Sequence, residues 1–179
     1  MKAFKHLKTI LIHKVYVGKA CFKLGLYKQG VLHDISKLSP IEFISSARYY
    51  TGTSSPIDEE KKDKGYSEAW QHHKGRNPHH PEYWIDNVMV PGQECVALQM
   101  PKKYAYECLA DWIGAGKAYE KTSWSPESAY NWYEKVGSKR RIHQQTKAFL
   151  GAVFLYMKEN DCDLPSRKIV DRVWDESLS

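Results

Sequence analysis

At 179 residues, with 42% hydrophobic and 27% charged residues, the chain has the composition of an ordinary soluble globule, long enough for one domain that buries about 70% of its unfolded surface. Its net charge of +6 favours phosphorylated ligands over acidic partners. Apart from Lys139-Arg140-Arg141 the cations are scattered among acids without a glycine-rich or aromatic nucleic-acid signature, so nucleic-acid binding is not expected as the primary role. Cys21, Cys95, Cys108 and Cys162 form no Cys-x-x-Cys pair, as expected of reduced thiols in a cytoplasmic protein, and no apolar run approaches the ~18 residues of a membrane span.

Taken in order, apolar residues from Phe4 to about Tyr27 recur at helical spacing, and His13 shares a face with Ile10, Val17, Ala20 and Leu24. That histidine is either a buried ring bonded to a carbonyl or a ligand offered from mid-helix. Gly25 and Gly30 lead into a short second helix carrying His33 and Asp34. Ser39-Pro40-Ile41-Glu42 has the form of a capping box, predicting a third helix to about Tyr50. Residues 51 to 64, with Gly52, Pro56 and a nearly neutral charge run, are expected to be a solvated connection without chemistry. A short helix is expected over 66–73.

Asn77-Pro78 and Pro81 bracket His79 and His80, so these imidazoles should be presented by a stiff loop. Residues 85 to 99 are ambiguous, since Pro91-Gly92 interrupts them, and no strand ladder is expected. Pro101 opens a helix in which Tyr104, Cys108, Asp111 and Ala115 share a stripe. An acid on such a stripe needs a lysine, a helix end or a metal to offset its burial. Ser125-Pro126 starts a helix to about Lys135, Ser138 is expected to cap a long one through Tyr156, and Pro165 opens a last helix to Trp174. The reading is an all-α, single-domain helical bundle over 1–179, with its site in residues 4–120 and packing helices in 121–179. The 6 Trp and 12 Tyr should fill the core and line a cleft.

The chemistry-bearing residues are unevenly placed. Of 8 histidines, four fall in His72-His73-Lys74-Gly75-Arg76-Asn77-Pro78-His79-His80, and a fifth stands beside an acid in Leu32-His33-Asp34-Ile35-Ser36-Lys37. Imidazole and carboxylate together suit a borderline divalent metal, and a carboxylate can reach a second ion with its other oxygen.

The order His13, His33-Asp34, a histidine-rich loop, then Asp111 resembles the HD-domain superfamily of all-α metal-dependent phosphohydrolases. Leu32-His33-Asp34-Ile35-Ser36-Lys37 is similar to that superfamily's signature, with Ser36 in place of glycine. His72-His73-Lys74 resembles the paired histidines of the HD-GYP phosphodiesterases, although the Gly-Tyr-Pro element is absent. The resemblance implies a phosphodiesterase-like fold and one or two divalent transition metal ions (Mn, Fe, Co, Ni or Zn). His13, His33, Asp34 and Asp111 would hold the first ion. Asp34 would bridge to a second, completed by His73 and His80. His72 or His79 would contact substrate, and Lys37, with Lys74 or Arg76, would neutralise phosphate charge. The expected activity is hydrolysis of a small, nucleotide-like phosphate ester by metal-activated water, with Asp34 and Lys37 in the catalytic machinery. The same ligand count also fits a di-iron oxygenase of this superfamily, and a non-catalytic, metal-stabilised helical module is the third reading.

Overall fold

A computed structural model of the chain describes residues 1–178. It is mostly helical, with one two-stranded hairpin among the described residues. The long helix α1 (Lys2–Lys23) ends at Leu24, where Gly25 takes a left-handed φ of +71°, a conformation that glycine adopts without steric cost. Helix α2 (Tyr27–Leu32) follows, then a 3-10 turn (Ile35–Leu38) and α3 (Pro40–Tyr49). His33 and Asp34 therefore lie just beyond the end of α2 rather than within it. Ser39 caps α3 as expected, accepting from the Glu42 amide. The Glu42 carboxylate does not return to the Ser39 backbone; it is buried and turned toward His72 and His73.

Residues 51–64 depart from expectation. Helix α4 (Pro56–Lys64) occupies most of the segment, with Pro56 in its first turn and Gly65 at φ +81° closing it. Asp58 and Glu59 stand at its start and Lys61, Lys62 and Lys64 at its end, the arrangement that complements the helix dipole. The near cancellation of charge in the run concealed that polarity. Glu60, buried within α4, accepts from Ser45 of α3 (2.9 Å) and from Ser67 (2.5 Å). Ser67 in turn caps α5 (Glu68–Lys74) by accepting from the Trp70 amide.

The ambiguous stretch is an antiparallel hairpin, β1 (Ile85–Val90) and β2 (Gln93–Ala97), with Ile85 opposite Ala97 and Asn87 opposite Cys95. Pro91-Gly92 does not break the structure; it is the turn, Gly92 supplying φ +81°. The absence of strict apolar alternation hid the strands, because Val88 and Val96 stay partly exposed and Met89 is fully exposed.

Helix α6 (Lys102–Glu120) is the axis of the molecule, with every residue from Ala105 to Gly114 buried. It lies against α1, where a Cβ at Gly114 would collide with Val17. On its other sides are α7 (Pro126–Lys135), α8 (Gln144–Glu159) and α9 (Arg167–Glu176). Phe149, Leu150, Val153, Phe154 and Met157 of α8 are the expected core residues and are fully buried, each contributing ~1.5–3 kcal/mol of burial. Helix α8 begins at Gln144, not after Ser138. The Ser138 hydroxyl donates back to the Glu134 carbonyl, Arg140 is extended, and His143 caps the helix by accepting from the Gln145 amide. All four cysteines are free thiols. Among the described residues, no helix is long and apolar enough to cross a membrane.

Candidate metal centre

Asp34 is built into the chain by its backbone. Its φ of 53° and ψ of 25° are left-handed, a region that Asp and Asn tolerate better than other non-glycine residues. This reversal stops α2 and turns the Asp34 side chain inward beside that of His33. Lys14, next to His13 on α1, holds the same corner by donating to the carbonyls of Val31 and His33, both at 2.7 Å. The histidine loop is held from the other side. Asn77 donates to the His73 carbonyl (2.7 Å) and the Ser36 hydroxyl (2.9 Å), and the Trp84 indole donates to the Pro78 carbonyl (2.6 Å).

The result is a buried cluster around Asp34. Its Oδ2 lies 3.4 Å from Nε2 of both His13 and His33, while Asp111 Oδ1 lies 3.1 and 3.3 Å from the same two nitrogens. Its Oδ1 faces the other way, 3.3 Å from His73 Nε2 and 3.4 Å from His79 Nε2. Two sets of donors thus share one carboxylate: His13, His33, Asp34 and Asp111 in one, Asp34, His73, His79 and His80 in the other, every member buried. A third overlapping set is His33, His79 and Glu107.

These atoms are close without satisfying one another. Asp34 Oδ1 and the Nε2 atoms of His13, His73, His79 and His80 are buried with no hydrogen-bond partner, and Asp34 Oδ2 has the Lys37 ammonium as its one close cation beside the imidazoles, an exceptional concentration of unpaired polar atoms. His33 and His73 engage carboxylates through Nδ1, Glu107 at 3.0 Å and Glu42 at 2.8 Å. Such a bond commits the Nδ1 proton and leaves the Nε2 lone pair aimed into the cluster. Ligands at ~2.1 Å from a common ion stand about 3.0 Å apart at right angles and about 3.4 Å apart at the tetrahedral angle. The observed separations fall in that interval, so the donor sets fit a divalent cation in spacing and in chemistry.

Electrostatics agree with that reading. Burial would raise the Asp34 and Asp111 carboxyls, but the charges and hydrogen bonds of His33, Lys37 and His73 at Asp34, and of His13 and His33 at Asp111, hold both well below the usual carboxylate range. Burial is likewise outweighed at His33 and His73, which the surrounding carboxylates hold above the ordinary imidazole value. His80, which forms no ion pair with a carboxylate, is pushed well below it by burial and by His79 and His73, against the weaker pull of Asp111 and Asp34. Positive charge is thus demanded at the centre, and in the protein alone it comes from protons and from Lys37, whose Nζ is 2.5 Å from Asp34 Oδ2. A metal would take the place of those protons.

A cleft of about 450 Å³ opens beside the cluster, bordered by His13, His73, His80 and Asp111 at one end and reaching His6, Trp124 and Trp132. Lys37, 27% exposed, stands on its edge. His72, Lys74 and Arg76 do not border it; His72 instead pairs with Glu42 Oε1 at 2.5 Å, and Arg76 reaches back toward the His72 carbonyl. His79 does not face the cleft either but lies inside the cluster. Conversely, residues 53–58 and Lys61 form one wall and Trp124, Trp132 and Arg140 another, so neither the supposed connection nor the segment 121–179 is mere packing.

Sequence reasoning passed over Glu42 and Glu107. The position of Glu107, four residues before Asp111 and hence on the same face of α6, was a usable signal. Glu42 gave none, because its place in a capping box already accounted for it.

The family model that matches covers residues 2–155 and is described as a family of unknown function, DUF5662. The chain belongs to DUF5662. No curated protein and no solved structure matches it. The residues of both donor sets lie within the matched segment, as do all the residues that line the cleft, so the DUF5662 region contains the whole candidate centre.

Proposed function

We propose that this DUF5662 chain is a metal-dependent phosphohydrolase of HD-domain type, holding one or two divalent transition metal ions and cleaving a small phosphate ester of nucleotide type. The observation that carries the reading is the placement of Asp34 between two sets of buried nitrogen and oxygen donors, most of them unpaired, beside a cleft. His13, His33, Asp34 and Asp111 would hold one ion, and Asp34, His73, His79 and His80 the other. When bound, such ions lower the pKa of water and offset phosphate charge.

The chain's own residues do the rest. Lys37 is kept charged against the effect of burial by the Asp34 and Asp111 carboxylates, and from the cleft edge its ammonium can meet a phosphate oxygen. Glu107 and Glu42 orient the imidazoles through Nδ1. Trp112 and Trp132, perpendicular at 5.0 Å, present aromatic surface to the organic part of the ester.

Metal content of protein purified without a nickel column, and phosphate release from a panel of nucleotides by wild type beside Asp34→Ala, test this function. The expected result is one or two transition metal ions per chain and turnover lost in the variant. A chain with no metal and no metal binding defeats the proposal, whereas oxygen consumption with ferrous iron would assign the centre to oxygenase chemistry.

A further inference from the structure

His6 stands two turns before His13 on the same buried face of α1 and borders the same cleft, yet belongs to neither donor set. Seven residues of helix place it about 10 Å from His13 along the axis. The ring is 6% exposed and lies against Phe43 and Tyr50, with centroids 5.5 and 5.2 Å away. Neither ring nitrogen has a hydrogen-bond partner. The hydroxyl of the neighbouring Tyr50 is already engaged, because Tyr50 Oη and Thr9 Oγ1 pair with each other at 2.7 Å. A second unpaired group, the buried Trp124 indole N–H, borders the same cleft.

A histidine used only for packing is expected to bond through at least one nitrogen. We propose that His6 is a substrate-contacting residue, reading an uncharged group that carries both a hydrogen-bond donor and an acceptor at the end of the ester remote from the metal-ligand cluster. A neutral imidazole offers one donor and one acceptor, and burial together with the nearby Lys37 charge pushes His6 down to about 4, so the ring is neutral at pH 7. The ligand chemistry follows from the layout: an anionic head at the cluster, then a neutral body that runs about two turns along α1, past Lys37, so that its far end meets His6. Sugar hydroxyls and a heterocyclic base share that chemistry. The identity of the head rests on the phosphohydrolase reading; the existence of the distal contact does not.

The test compares phenyl phosphate, which has no distal hydrogen-bonding group, with ribose 5-phosphate and adenosine 5′-monophosphate on wild type, His6→Phe and His6→Gln. The expected result is a fall in kcat/KM of roughly 10–100-fold in His6→Phe for one or both of the latter compounds. Phenyl phosphate should be unchanged, and His6→Gln, which keeps a donor and an acceptor, should restore part of the loss. A loss on both compounds assigns the contact to the sugar, and a loss on the nucleotide alone assigns it to the base. Equal losses on all three compounds, or none, overturn the proposal. If wild type hydrolyses none of them, the phosphohydrolase reading fails and calorimetric binding of the same compounds decides the role of His6. Binding tighter than that of phenyl phosphate and lost in His6→Phe sustains it; no difference between the proteins, or no binding, overturns it. His6→Met replaces His6→Phe if the latter does not fold.

Discussion

Glu107 Oε1 lies 3.0 Å from His33 Nδ1, on the side of the ring opposite the nitrogen that faces Asp34 and Asp111. The same oxygen is 3.3 Å from His79 Nδ1, so one acid of α6 touches a histidine of each donor set. Glu42 touches His73 alone among the proposed ligands. Removing an orienting carboxylate of this kind typically weakens metal binding ~10–100-fold. Glu107→Gln is therefore expected to weaken both equivalents of metal, and Glu42→Gln only one. Metal titration against a chromophoric chelator, with circular dichroism to establish folding, distinguishes the two patterns.

Asp34→Asn isolates the charge of the shared carboxylate, because Asn accepts the left-handed backbone as readily as Asp does. The variant should fold with unchanged helical content and lose metal binding and turnover together. Excess Mn²⁺ should raise the thermal midpoint of the wild type by mass action but leave that of Asp34→Asn where it was. A midpoint that rises equally in both would contradict the central role of Asp34.

His6 supplies a pH prediction. Its pKa falls from 6.5 to about 4 on folding, chiefly through burial and then through Lys37. Because the folded value is lowered, the unfolded chain takes up a proton first as the pH drops through 6.5. Stability is then lost progressively down to about pH 4 and no further below it. In chelator-treated protein the wild-type denaturation midpoint should drop between pH 7 and pH 5 by more than that of His6→Phe.

Cations near the histidine loop should differ sharply in effect. Lys37→Ala is expected to lower kcat/KM by roughly 10–100-fold, since it removes a charge-assisted contact. Lys74→Ala and Arg76→Ala, away from the cleft, should stay within about twofold. Steady-state kinetics on any hydrolysed phosphomonoester reads the contrast.

The legibility of this chain in its sequence was uneven for physical reasons. Helices α1, α3, α6, α7 and α9 announce themselves through apolar period and through Ser-Pro or Pro starts, which are local signals. His13, His33-Asp34, His73, His80 and Asp111 stand out as residue types expensive to bury singly, and the structure brings all of them to one place. Glu42, Glu107 and His6 stayed hidden because an acid or a lone histidine on a helix has many ordinary explanations, and only tertiary contact separates them. Helix α4 and the hairpin were missed where polar faces and a Pro-Gly turn weaken the periodic signal. The cleft walls formed by residues 53–61 and 124–140 could not be read locally at all, since they depend on how distant segments meet.

Glu60 gives the cleft and the cluster a common fastening. Through Ser45 it rivets α4, one wall of the cleft, to α3, and through Ser67 it rivets the same wall to the helix that delivers His73. The width of the opening and the aim of a ligand are consequently linked through one ionised side chain. A change that loosens the doorway also unsettles the hearth, so this scaffold can broaden its choice of substrate only at the risk of its grip on metal.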